Sequence, residues 1–256
     1  MATITHSLGI TDYERAGPEG QRPLVLFHTL LADRSVYDGI FSTLAENRDV
    51  IRFQFPGFGA SVGVCQSIDD YALWTISFLK ALAFGQPVEI FSNGFGGFVS
   101  VGVTSKAPEL VSRLTIANSG ASFPEERKPP LLKMAEAVET KGIEAVLDTA
   151  ISRMFPEAFA QANPAIVQAR KVALSKTNPA QFSAACRALA QLDYRDAARQ
   201  ISRPVRIVAG LDDGTTPPLM SQELHQLVSG STYAEIPDCG HCPQIQQPAR
   251  VLELLV

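Results

Sequence analysis

The stretch Val88-Glu89-Ile90-Phe91-Ser92-Asn93-Gly94-Phe95-Gly96-Gly97 decides how the rest of the chain is read. Val88, Ile90 and Phe91 make a short apolar run of the kind buried in a sheet. Small residues then turn the chain sharply, and Phe98-Val99-Ser100-Val101 continues as an apolar helix. Strand, tight turn and helix together are the setting in which the pattern G-x-S-x-G lifts a reactive serine above the end of a sheet. The small flanking residues stand in register at Ser92 and Gly96, but the centre is Gly94. The scaffold for a nucleophile is present and its hydroxyl is not. Ser92 lies two positions early, along the strand end, and reads as a small turn residue.

Outward from this turn, strands and helices alternate. Residues 22–28 form a continuous apolar run typical of a strand buried on both faces. Helical spacing follows in Val36, Ile40, Phe41 and Leu44, then a strand at 50–53 and a Gly/Pro loop at 54–61. Ser67 reads as a helix N-cap, with the Asp70 carboxylate reaching back to a free amide. Tyr71, Trp74, Ile76, Phe78 and Leu82 carry that helix to Gly85. Beyond the central turn, 114–117, 204–209 and 232–236 read as further parallel strands. The pattern predicts an α/β fold, a mostly parallel sheet with helices on both faces. Between Ser119 and Ile201 the alternation stops. Helix-like stretches at 131–140, 143–155, 165–174 and 181–192 are punctuated by Pro129-Pro130, Asn163-Pro164 and Asn178-Pro179. An α/β core of 1–119 and 199–256 with a helical cap of 120–198 is therefore expected.

The 256 residues are enough for one such domain with an insertion. Apolar residues make up 46% and charged residues 19%, an ordinary globular balance. A net charge of −4 gives no electrostatic case for nucleic acid or an anionic membrane. No apolar run approaches the ~20 residues of a spanning helix, and Met1-Ala2-Thr3-Ile4-Thr5-His6 lacks the blocks of a signal peptide. A soluble, cytoplasmic protein is expected, and homo-oligomerisation is left open. Cys65, Cys186, Cys239 and Cys242 do not form a secreted disulfide framework. Cys239-Gly240-His241-Cys242 matches a dithiol redox motif in its letters, but such a motif must open a helix in a thioredoxin-like unit. Pro243 follows it directly, so incidental cysteines are the favoured reading. A metal site from Cys239, His241 and Cys242 lacks further ligands.

In a sheet of this kind ligands sit beyond the carboxyl ends of the strands. Besides the central turn, two loops bring polar groups there. Gly210 to Pro218 carries Asp213 after the strand at 204–209, and 237–241 carries His241 after the strand at 232–236. The chain order is nucleophile position, then Asp, then His. His6 and His225 read as surface residues. Phe58, Phe91, Phe95 and Phe98 surround the turn, with Phe58 and Phe95 as candidates to line an apolar pocket.

With these pieces assembled, the chain resembles the α/β-hydrolase superfamily and, within it, the 3-oxoadipate enol-lactonase group. The matching pieces are His28-Thr29-Leu30, the P-G-x-G-x-S loop at 56–61, the turn at 92–97 and Ala117-Asn118-Ser119-Gly120-Ala121. Arg153-Met154-Phe155, Leu192-Asp193-Tyr194-Arg195-Asp196, 210–218 and Gly240-His241 complete the set. The resemblance implies Asp213 as the triad acid, His241 as the base, and the backbone N–H groups of Leu30 and Phe95 as the oxyanion hole. His28 would organise the oxyanion loop. It implies a small-molecule ester or lactone as substrate, no cofactor and no metal. Arg127, Arg153, Met154 and Arg195 in the cap are candidates for substrate contact, the cationic ones for a carboxylate.

Two positions depart from the family pattern. Gln54 stands where the family has Asp, and Gly94 where it has the serine; no other G-x-S-x-G occurs in the chain. Without the nucleophile of such a unit, turnover falls by on the order of 10⁶. Three readings stay open. Gly94 is a replacement of serine, made to inactivate the enzyme or trap a ligand; or it is a natural departure in which Asp213 and His241 activate a water in the space left by the side chain; or the chain is a ligand-binding relative that has lost catalysis.

Overall fold

The computed structural model describes residues 2–255; Met1 and Val256, the outermost positions of the expected core, lie outside the described residues. Eight strands form one sheet in the order β1-β2-β4-β3-β5-β6-β7-β8. They are β1 (Ala2–His6), β2 (Gly9–Ala16), β3 (Leu24–Phe27), β4 (Val50–Phe53), β5 (Val88–Asn93), β6 (Val111–Ala117), β7 (Val205–Gly210) and β8 (Thr232–Ile236). From β4 to β8 the neighbours are parallel, while β1 with β2 and β2 with β4 are antiparallel. The central strands β3 and β5 are apolar and almost wholly buried, as a sheet covered on both faces requires.

Helices α1 (Asp38–Ala45), α2 (Ile68–Ala81) and α3 (Phe95–Lys106) connect the strands of the first half. The capping box of α2 is formed: Ser67 Oγ accepts the Asp70 N–H, and the Asp70 carboxylate accepts the Ser67 N–H. Two strands went unread in the sequence, β1 and β2. They form one end of the sheet, with β1 at the edge, and are half exposed, with Asp12, Glu14 and Arg15 interrupting any apolar run of β2.

Between β6 and β7 lie α4 (Lys128–Lys141), α5 (Leu147–Met154), α6 (Glu157–Ala162), α7 (Pro164–Leu174), α8 (Pro179–Gln191) and α9 (Arg195–Arg199). Pro129 and Pro130 fall in the first turn of α4, where a missing N–H costs nothing. Asn178 caps α8 by accepting the Gln181 N–H. The chain closes with α10 (Pro218–Leu227), α11 (Pro243–Gln246) and α12 (Pro248–Leu255). Among the described residues no helix is long and apolar enough to cross a membrane.

Candidate active site

β5 ends at the centre of the sheet and delivers Gly94 into the turn before α3. Gly94 has φ 55° and ψ −117°, a left-handed conformation that glycine adopts without a Cβ penalty. Gly96 allows the helix start to press on β3, since a Cβ there would lie 2.5 Å from the Phe27 carbonyl oxygen. The turn is fastened on both sides: Gly94 N–H donates to Ala117 O at 3.0 Å, and Ser119 Oγ donates to Gly94 O at 3.0 Å.

The structure brings Gly94, Asp213 and His241 together. Asp213 and His241 are buried, and His241 Nδ1 lies 2.9 Å from Asp213 Oδ2. Asp213 also accepts from Asn118 Nδ2 at 2.8 Å, Thr216 Oγ1 at 2.7 Å, and the N–H groups of Thr215 and Thr216. Burial pushes its pKa up, but the neighbouring His241 and the hydrogen bonds of His241, Thr216 and Asn118 prevail and hold it below the ordinary carboxylate value. An ionised carboxylate only accepts, so Nδ1 carries the ring proton and Nε2 presents a lone pair. Nε2 faces the turn: a Cβ built on Gly94 would lie 2.5 Å from it. What actually meets Nε2 is the Thr29 hydroxyl, with Oγ1 2.9 Å away and donating. Asn93, one residue before the turn, ties down the loop of the base by donating from Nδ2 to His241 O at 2.9 Å. Chemically, a neutral imidazole oriented by a carboxylate can take a proton from a hydroxyl or water at Nε2.

A narrow, mainly apolar cavity lies over these groups. Leu30, Phe95, Thr29 and His241 line its floor, and Phe123, Leu131, Met134, Arg153 and Leu189 come from the segment after β6. Neither Leu30 nor Phe95 engages its N–H in a loop or cap backbone hydrogen bond among the described residues. Arg153 is half-buried, lies beside Met134 Sδ at 3.7 Å, and makes no ion pair among the described residues.

Three residues expected at the substrate lie elsewhere. Phe58 is buried edge-on against the His28 ring, 4.7 Å between centroids. Arg127 donates to Gly214 O at 3.1 Å on the exposed side of the Asp213 loop. Met154 is buried, and its carbonyl accepts the His241 N–H at 3.0 Å, so it holds His241 through its backbone. Each is drawn off the cavity by a packing or backbone partner. Arg195 is likewise paired with Asp193 in solvent, whereas Phe98 reaches the cavity wall.

His28 organises the loop before Leu30. Its Nε2 accepts the Phe55 N–H at 3.1 Å, so Nδ1 bears the proton and donates to Thr29 O at 2.8 Å. Burial drives its pKa down to about 4, against the opposing Thr29 hydrogen bond. Gln54 takes up a local bond, accepting the Arg34 N–H at 3.0 Å. Ser92 is buried in β5 and bonded to Ser100 Oγ at 2.9 Å, away from the cavity. His6 and His225 are half-buried rather than on the open surface, bonded to Ser77 and Ser231 and packed on Trp74 and Tyr233. All four cysteines are free and buried. Burial pushes the Cys239 thiol up to about 12 and that of Cys242 well above its ordinary value, the opposite of a redox-active thiolate. Among the described residues no group of His, Cys, Asp and Glu could hold a metal ion.

Two contributors carried no sequence signal strong enough to assign them. Thr216 stands three residues after Asp213, a spacing at which a hydroxyl folds back on a carboxylate. Thr29 meets His241 across 212 positions of chain, a proximity only the fold creates.

The fold and the strand-end position of these groups define a class of hydrolase-type α/β proteins. The chain belongs to the Alpha/beta hydrolase family, whose sequence pattern matches residues 24–254. It is 25% identical over 249 residues to 3-oxoadipate enol-lactonase 2 of Acinetobacter baylyi, covering 96% of this chain and 91% of that one. To the (E)-2-((N-methylformamido)methylene)succinate hydrolase of the same organism it is 25% identical over 238 residues, covering 91% and 88%. Its fold superimposes on the enol-lactonase from Burkholderia xenovorans LB400 with a TM-score of 0.91 at 20% identity, covering 99% and 98% of the two chains.

Proposed function

We propose that the protein is built to hydrolyse carboxylic esters or lactones of small organic acids, with Asp213 and His241 serving an oxygen nucleophile at the turn of Gly94. The observation that carries this reading is the aligned Asp213–His241 pair, 2.9 Å apart, with Nε2 pointing at residue 94 inside the cavity. In such a reaction His241 takes the proton of the attacking oxygen, and Asp213 fixes the ring tautomer and stabilises the imidazolium. The N–H groups of Leu30 and Phe95 receive the carbonyl oxygen as it gains charge. Arg153, a cation on an apolar wall with no ion pair among the described residues, favours substrates that carry a free carboxylate. The similarity to the lactone and succinate-derivative hydrolases of Acinetobacter baylyi points the same way.

Gly94 supplies no hydroxyl, so turnover in this chain is far below that of a serine-bearing form. Gly94→Ser restores the nucleophile at the price of local rearrangement, because its Cβ would lie 2.5 Å from both His241 Nε2 and Thr29 Oγ1. Thr29 can rotate away and the imidazole can withdraw by a fraction of an ångström. With p-nitrophenyl esters and small lactones the variant is expected to gain about 10²-fold or more in kcat/KM. Failure to gain, alone and combined with Thr29→Ala to relieve the contact, together with no ester turnover by the native chain, would rule this reading out.

A further inference from the structure

The hydroxyl that faces the base in this chain is not on the turn but on the neighbouring loop. Thr29 is 1% exposed, lines the cavity, and its Oγ1 has one side-chain partner among the described residues, His241 Nε2 at 2.9 Å. Nε2 has its lone pair free to receive that proton, because Nδ1–H is committed to Asp213. A Cβ on residue 94 would meet Thr29 Oγ1 and His241 Nε2 at the same 2.5 Å. Thr29 Oγ1 thus occupies the region a serine side chain at 94 would fill, and the absence of that side chain is what lets it reach the imidazole.

The geometry points to Thr29 as the nucleophile of the chain as it stands, forming with His241 and Asp213 a hydroxyl–imidazole–carboxylate relay displaced from β5 to the loop after β3. This inference rests on the ester or lactone reading above and says which oxygen attacks. Threonine hydroxyls serve as nucleophiles where an adjacent base takes their proton.

The step is balanced within the site. Thr29 Oγ attacks the carbonyl carbon, its proton passes to His241 Nε2, and the carbonyl π pair moves onto the oxygen. The Leu30 N–H, on the next residue of the same loop, is available to that oxyanion. Collapse re-forms the carbonyl and breaks the bond to the alkoxy oxygen, which takes the proton from Nε2; from a lactone this hydroxyl remains tethered to the acyl group. Water then adds to the acyl carbon, giving its proton to Nε2. The bond to Oγ breaks, Nε2 returns the proton to Thr29, and the acid leaves. Ester and water become acid and alcohol without a further reactant.

The test uses the native chain, Thr29→Val, Thr29→Ser and Gly94→Ser. Turnover of p-nitrophenyl acetate is measured for each. A p-nitrophenyl phosphonate ester, which leaves a stable phosphonyl group on the attacking oxygen, is followed by peptide mass spectrometry. The native chain is expected to turn over ester and to carry the label on Thr29. Thr29→Ser should retain or exceed native activity, and Thr29→Val should lose about 10²-fold or more. Native-like turnover by Thr29→Val, or a native chain that turns over ester with no label on Thr29, would overturn the assignment. So would a native chain without turnover beside an active Gly94→Ser, which leaves the hydrolase reading standing. Inactivity of both the native chain and Gly94→Ser would remove that reading too. Should Thr29→Val fail to fold, the position of the label in the native chain decides.

Discussion

His28 is fully buried between the Phe55 N–H and the Thr29 carbonyl, and it stays neutral down to about pH 4. An unfolded chain would protonate it near its ordinary value of about 6.5. Between those two values the unfolded state binds the extra proton, so stability falls as the pH drops from about 6.5 to about 4. The span corresponds to about 3 kcal/mol. Urea denaturation at several pH values should show a steeper acid loss for the native protein than for His28→Asn, whose side chain does not titrate. Parallel pH profiles would refute a neutral buried imidazole. Asp213 acts in the same direction at lower pH. Its pKa is held below the ordinary carboxylate value, so the stability it contributes is present above that value and lost as the pH falls through its folded pKa.

Among the elements, the contact of α3 with β3 is a close one, because the helix begins directly over the strand end. Gly96→Ala would place a Cβ 2.5 Å from a backbone oxygen of Phe27, which no side-chain rotation can relieve. A loss of about 2 kcal/mol or more in denaturant stability is expected; an unchanged midpoint would mean that the helix can lift without cost. The elements most legible in the sequence were those whose local chemistry agrees with the fold. Ser67 and Asp70 announced α2, and the apolar runs of β3, β5 and β7 announced central strands. β1 and β2 were not legible, since half-exposed antiparallel strands at the end of a sheet need no continuous apolar run. Asp213 and His241 could be nominated because each follows a strand in a loop at the carboxyl end. The Phe58, Arg127 and Met154 expectations failed as side-chain contacts for a common reason. Proximity in sequence to a matching motif does not fix which way a side chain turns, and a carbonyl can be the useful part, as at Met154. Thr29 could not be singled out because its partner is contributed from the other end of the sheet order.

For the whole molecule, the proposed function ties substrate choice to the residues that the segment between β6 and β7 brings to the cavity. Arg153 at the end of α5 brings a guanidinium to a cavity wall made mainly of Phe98, Phe123, Leu131 and Leu189. Burial lowers its pKa, the sign of a cation poorly hydrated in its resting state. Arg153→Met should lower kcat/KM for lactones bearing a free carboxylate by roughly 10–100-fold, the worth of a charge-assisted hydrogen bond. A neutral ester should suffer a distinctly smaller loss, and comparing the two substrates in a Gly94→Ser background gives signal enough to read the ratio. Equal losses would remove Arg153 from carboxylate recognition.

The end of α5 is also where the upper helices are bolted to the loops below. Met154 O holds the His241 N–H at 3.0 Å, and Arg153 O accepts the Thr215 hydroxyl at 2.8 Å. While these two bonds hold, the end of α5 and the loops of Thr215 and His241 form one unit, so a shift of that helix end is passed directly to the imidazole.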